Sequence, residues 1–128
     1  MIYWLTGQPG AGKTTLVDVL LGVLNPDSGQ VLISSKPPLK TFSEWPGSVS
    51  YVPQNVTVSN GTISENVSLG YLREEGDDER IWSALEVAQL STFVSQLSEG
   101  LNTQVGERGS MISGGQRQRL GIARAMFT

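Results

Sequence analysis

The chain has 128 residues, of which 38% are hydrophobic and 16% charged, enough for one modest domain and too few for two independent cores. It contains no cysteine and no histidine, which removes disulfide frameworks, thiolate or imidazole metal sites, cysteine nucleophiles and histidine bases. Its 12 acidic and 9 basic side chains give a net charge of −3 and no clustered positive charge of the kind that holds nucleic acid.

Residues 2–6 are β-prone and are expected to form a strand, ended by the Gly-rich segment 7–12. The amino end, Met1-Ile2-Tyr3-Trp4, has no basic region, so no cleaved leader is expected. A helical pattern follows through Leu16, Val17, Leu20, Leu21 and Leu24, stopped by the turn residues Asn25-Pro26-Asp27-Ser28-Gly29. The stretch from Leu16 to Leu24 is the longest mostly apolar one. Broken by Asp18 and Gly22, it is too short for the roughly 30 Å hydrocarbon core of a bilayer. Residues 30–33 and 48–52 read as strands on either side of a Pro/Ser/Lys-rich loop.

After Gln54 the periodicity becomes helical. Helices are expected over Thr62 to Leu69, over Asp78 to Leu90 with Asp77 or Asp78 as N-cap, and over Thr92 to Leu97. Glu99 to Gly109 reads as a loop, and a last helix runs from about Gly114 to the chain end. Arg117, Arg119 and Arg124 on that helix read as a solvated face.

Two segments carry chemistry. Gly7-Gln8-Pro9-Gly10-Ala11-Gly12-Lys13-Thr14 matches G-x-x-x-x-G-K-[ST] between an expected strand and an expected helix, the P-loop context. Its glycines let successive N–H groups point into one concavity at a helix N-terminus, a cradle for phosphate oxygens. Lys13 is the expected partner of the β- and γ-phosphates, and the Thr14 hydroxyl the expected ligand of Mg²⁺, with Thr15 beside it. Ser113-Gly114-Gly115-Gln116 is the second segment. Ser113 and Gln116 have the spacing of an S-x-x-Q capping box. Gly114 and Gly115 cost about 1 kcal/mol each in a first helical turn, a cost that makes sense if an anion must approach the backbone.

On these residues the sequence resembles the ATP-binding cassette (ABC) transporter ATPases, whose signature reads Leu-Ser-Gly-Gly-Gln where this chain has Ile112-Ser113-Gly114-Gly115-Gln116. Val52-Pro53-Gln54 is similar to the family's Q-loop. The order P-loop, Q-loop, helical block and signature is the family's order. Ser64-Glu65-Asn66-Val67-Ser68-Leu69-Gly70 and Thr103-Gln104-Val105-Gly106-Glu107-Arg108-Gly109 look like exporter- or lipid-flippase-type cassettes.

The resemblance implies an α/β fold, that of a P-loop NTPase (RecA-like) ABC cassette with an incomplete core and an α-helical subdomain. Residues up to about 55 would belong to the core and those from about 56 to the helical subdomain and signature helix. It implies ATP bound by Gly7, Gln8, Pro9, Gly10, Ala11, Gly12, Lys13, Thr14 and Thr15, and Mg²⁺ held by Thr14 and the Q-loop Gln54. Ser113, Gly114, Gly115 and Gln116 would contact ATP in trans, on a second cassette paired head to tail. Transmembrane domains are the other implied partner, with the cassette on the cytoplasmic face and ATP turnover driving export or flipping. Glu107 and Arg108 are candidates for contacts to those domains, with a solvated acid and base as the alternative.

In the family a strand ending in Asp, a catalytic Glu and a switch His follow the signature helix, and this sequence ends at Thr128 before any of them. Residues 1–128 alone are therefore expected not to hydrolyse ATP. Two family strands that separate the P-loop strand from the Q-loop strand come from the same downstream region. Without them the two elements would stand about 14 Å apart with open edges, so marginal stability in isolation is expected. A non-catalytic nucleotide-binding or interaction module, and a soluble ABC ATPase, are the alternatives at this stage.

Overall fold

Residues 2–127 are described by a computed structural model, except for the side chain of Arg108. Their regular structure is helical: α1 (Lys13–Leu20), α2 (Pro38–Glu44), α3 (Ile63–Val67), α4 (Asp77–Val87), α5 (Ser91–Ser95) and α6 (Gly114–Met126), with 3-10 turns at Gly100–Asn102 and Glu107–Gly109. The chain divides after Val49 into two compact units.

The three expected strands are absent among the described residues, where only two isolated bridges occur, Ile33 with Lys36 and Thr62 with Gln104. β-propensity reflects how well a side chain packs on a pleated surface, and a strand persists only when its N–H and C=O groups ladder onto a neighbour. No strand is assigned at residues 2–6, 30–33 or 48–52. Tyr3 and Trp4 remain 85% and 87% exposed. The α/β character expected of the chain is thus represented here by its helices.

In the first unit α1 ends earlier than its apolar pattern suggests. Gly22 adopts φ 75°, its N–H bonds Val19 O at 3.1 Å, and Val23 N–H bonds Asp18 O at 2.8 Å. This is a Schellman stop, so the turn residues 25–29 lie beyond the helix. The loop expected at 34–47 contains α2, which sequence reading missed. Pro38 occupies its first position, where a missing N–H costs nothing. Ser34 and Ser35, at φ 50° and 66°, make a tight reversal, and Thr41 Oγ1 donates to Ile33 O at 2.8 Å to tie it to α2. Lys36 pairs with Glu44. Leu16 and Leu20 of α1 stay about half exposed, and the end of α1 and the start of α2 border an open, mostly apolar groove with Val31 and Leu32.

The hydrophobic core lies in the second unit. α4 contributes Ile81, Ala84 and Leu85 at helical spacing with Ala88 at its C-cap, α6 contributes Leu120 and Ala123, and Phe127 follows at its carboxyl end. Ile63 and Val67 of α3, Val94 of α5, and Val56, Val58, Leu90, Leu101 and Val105 complete it. Thr62 caps α3 in a reciprocal box with Glu65, giving a helix of five residues that ends before Ser68.

α4 begins one residue earlier than expected. Gly76 is its N-cap, and Asp77 is its first residue. The buried Asp77 carboxylate accepts from Glu74 N–H at 2.7 Å and from Arg80 Nη1 at 2.7 Å. Arg80 in turn donates to Phe127 O at 3.1 Å and lies over the Phe127 ring, closing α4 against the end of α6. α4 also stops earlier than expected, because Gln89 turns to φ 57° and Leu90 N–H bonds Leu85 O at 2.8 Å. α5 lies a residue or two before its expected range. The 3-10 turns interrupt the loop expected at 99–109.

Candidate functional site

Residues 7–14 fold over the amino end of α1. Gly10 and Gly12 have φ of 82° and 92°, in the left-handed region that favours glycine. A Cβ on either would meet nothing within 4 Å, so these positions demand a backbone conformation and not empty space. Ala11 N–H donates to Gln8 O at 3.1 Å, which sets the turn. The Lys13 ammonium curls back and donates to Gly7 O at 2.8 Å and to Gln8 O at 2.9 Å.

A cavity of about 220 Å³ is lined by Gly10, Gly12, Lys13, Thr14 and Thr15. No acid occupies the first turn of α1. A cation, a helix N-terminus and exposed hydroxyls at Thr14 and Thr15 therefore meet at one open concavity, which suits a polyphosphate with its counter-cation. Gln8, Pro9 and Ala11 of the same loop are exposed.

In the second unit Ser113 caps α6. Its Oγ accepts from Gln116 N–H at 3.2 Å, and its own N–H donates to Gln116 Oε1 at 2.8 Å. The capping box is thus formed, and each of the two polar side chains of the segment holds the backbone N–H of the other residue. Gly114 and Gly115 are exposed with open space where a side chain would stand, and among the described residues their N–H groups meet no acceptor. The box leaves these two donors available to a ligand oxygen.

Gln54 is exposed and lines a small polar cavity of about 160 Å³ with Asn55, Val56, Gly114, Arg117 and Gln118. Gln54 and Gly114 of the second unit therefore line one cavity. The P-loop residues lie in the first unit. Glu107 is exposed at the start of a 3-10 turn, and the Arg108 side chain lies outside the described residues.

The three arginines of α6 do not form one solvated face. Arg119 is exposed and donates to Gln89 O at 3.2 Å. Arg117 is half-buried with an unpartnered Nε at the edge of the Gln54 cavity. Arg124 is also half-buried and bonds Asn66 O at 2.9 Å and Thr57 O at 3.0 Å, and burial pushes its pKa down. The signal for Arg124 was present in the sequence, since it sits four residues after Leu120 and three before Phe127, on the border of the apolar stripe. No helix among the described residues is long and apolar enough to cross a membrane.

A family model described as ABC transporter matches residues 1–128. The chain is 43% identical over 124 residues to an ATP-dependent lipid A-core flippase of Bordetella avium, covering 96% of this chain and 21% of that protein. It is 41% identical over 124 residues to a multidrug resistance ABC transporter ATP-binding and permease protein of Lactococcus lactis, covering 94% of this chain and 20% of that protein. A solved bacterial Atm1-family ABC exporter with ATP bound superimposes with a TM-score of 0.76 at 31% identity, over 94% of this chain and 21% of the other. The chain spans about one fifth of the length of each of these proteins.

Proposed function

The chain belongs to the ABC transporter family, and from that premise we propose that it is the nucleotide-gripping part of a cassette that uses ATP to drive export or flipping across a membrane. The observation that carries the proposal is the loop of residues 7–14, in which left-handed glycines and the Lys13 ammonium border a concavity free of acidic side chains. Gly7, Gln8, Pro9, Gly10, Ala11, Gly12, Lys13, Thr14 and Thr15 are the proposed ATP contacts. Lys13 exchanges two neutral carbonyl partners for phosphate oxygens, a charge-assisted interaction and the stronger one.

Thr14 and Gln54 are the proposed Mg²⁺ ligands, hard oxygens of the kind that ion prefers. When bound, the ion supplies charge that offsets the phosphate oxygens. Ser113, Gly114, Gly115 and Gln116 are proposed to meet ATP held by a second cassette in a head-to-tail pair, with the free N–H groups of Gly114 and Gly115 as donors. Residues up to about 55 are assigned to a RecA-like α/β core and those from about 56 to the helical subdomain.

The reading leaves the general base to sequence outside these residues. Asp77 is held by Glu74 N–H and Arg80, Asp78 by Arg73, and Glu65 by Thr62. Residues 1–128 alone are proposed not to turn over ATP, since the family resemblance places the catalytic Glu after the signature helix. Transmembrane domains are the proposed second partner, with the cassette on their cytoplasmic side. The test is Lys13→Ala in the intact transporter. Loss of ATPase and transport is expected, and unchanged activity would refute the assignment.

A further inference from the structure

Arg124 faces no carboxylate among the described residues. Its three bonds all go to neutral oxygens: Nε to Asn66 O at 2.9 Å, Nη1 to Thr57 O at 3.0 Å and Nη2 to Asn66 Oδ1 at 3.4 Å. Asn66 is fully buried. Its Oδ1 also accepts from Ser59 N–H at 2.9 Å and Ser59 Oγ at 3.1 Å, while its Nδ2 donates to Ser59 O and Thr62 O, each at 3.0 Å. One guanidinium and one buried amide thus join three pieces of chain: the segment leaving Gln54, helix α3, and helix α6. A second contact reinforces the first. Val56 sits against Gly121, three residues before Arg124, so closely that no side chain fits between them.

An apolar side chain could fill this space without the cost of desolvating a charge. What the guanidinium adds is direction. Its planar fork meets carbonyls of two different segments at once, which fixes their relative position, whereas a lysine would offer a single point charge. At the other end of α6, Gly114 and Gln54 line one cavity, so the clasp holds the two sides of that cavity from behind.

We infer that Arg124, together with Asn66, is a positioning residue that locks the Gln54 segment and the signature helix into one rigid piece, so that displacement at Gln54 moves Ser113–Gln116 with it. The inference rests on the reading of the chain as an ATP-driven exporter cassette. Within it Arg124 touches no nucleotide and acts through Thr57 and Asn66.

The test is Arg124→Lys in the intact transporter, measured by ATPase kinetics and amide hydrogen exchange. The expected result is kcat lower by about tenfold with KM for ATP within about twofold, since the lost bonds position groups and do not bind substrate. Exchange at Ser59, whose N–H bonds Asn66 Oδ1, and at Gln116 and Arg117, whose N–H groups bond Ser113, should speed up while α4 is unchanged. Adding Asn66→Ala should lower kcat little further, because the two residues act as a unit. Arg124→Gln, which keeps the stem and one amide donor, is read in the same way if the lysine variant does not fold.

Leu85→Val, chosen for a matched loss of thermal stability, is the control for a merely structural role. Unchanged kcat and exchange in the Arg124 variants, or an equal loss of kcat in the Leu85 control, would overturn the inference. Lys13→Ala separates the layers. If it retains ATPase, the cassette reading itself falls. If it is inactive while Arg124→Lys is normal, only the clasp falls.

Discussion

Gly121 of α6 lies directly against Val56: a methyl group on Gly121 would come within 2.4 Å of Val56 Cγ2 and 3.0 Å of Cγ1. The contact binds the chain leaving Gln54 to the signature helix. Alanine is the better helix former by about 1 kcal/mol, so propensity alone would make Gly121→Ala stabilising. Overpacking a tight contact costs about 1–3 kcal/mol and should win. The expected outcome is a lower thermal midpoint for Gly121→Ala, recovered in part by Val56→Ala in the same protein. A raised midpoint in the single variant would show that the segment moves aside freely.

Ser113 has a helix-capping role and a proposed ligand-facing role, and substitution can separate them. Asp caps as well as Ser, and Ala forfeits about 1 kcal/mol. Ser113→Asp in the intact transporter is therefore expected to melt close to the unaltered protein yet lose ATPase, because a carboxylate would face phosphate. At about 4 Å near a protein surface that repulsion is about 4 kcal/mol. Full ATPase in Ser113→Asp would leave Ser113 as a cap and nothing more.

Gly12 has room for a side chain but the wrong backbone for one, with φ 92°. An alanine there should cost about 1–2 kcal/mol in the left-handed conformation, or reshape the loop to avoid it. Mg-ATP affinity measured by calorimetry is expected to fall about tenfold in Gly12→Ala. Gly12→Asn should fall less, since asparagine tolerates that conformation better. Equal, unaltered affinities would mean that the loop does not hold this geometry around nucleotide.

Asp77 makes stability depend on acid. The hydrogen bond from Glu74 N–H, followed by Arg80, holds its carboxyl below the usual carboxylate range despite burial, which acts the other way. A folded-state pKa below the unfolded one means that the contribution is complete at neutral pH, begins to fade near the unfolded value of about 4, and is lost as pH falls through the folded value. The gap in urea midpoint between the unaltered protein and Asp77→Asn should therefore be widest at neutral pH and close below about pH 4. A gap that is constant with pH would remove the charge from the explanation.

Much of the site could be read along the chain. The glycines and Lys13 of the P-loop, and the Ser113–Gln116 box, are local patterns whose geometry depends on residues within one turn of each other. The burial of Arg124 is legible in its spacing to Leu120 and Phe127, but its partners are not, since Thr57 and Asn66 lie 67 and 58 residues away and offer only backbone carbonyls and an amide. α2 was hidden by composition, since Pro38 suggests a loop until its position at the first turn is known. Helix ends at Gly22 and Gln89 depend on single left-handed residues, one of them not glycine.

The sequence by itself determined the helices with strong apolar periodicity, the Ser113–Gln116 cap, the left-handed glycine loop before α1, and the absence of histidine and cysteine chemistry. These follow from local sterics and side-chain type. Whether β-prone segments become strands is a tertiary matter, because a strand needs hydrogen-bond partners that local sequence cannot supply, and no strand is assigned among the described residues at 2–6, 30–33 and 48–52. The tertiary structure also decided that α6 is clasped to the segment behind Gln54, since burial of Arg124 and the fit of Val56 on Gly121 exist only once distant parts of the chain have met.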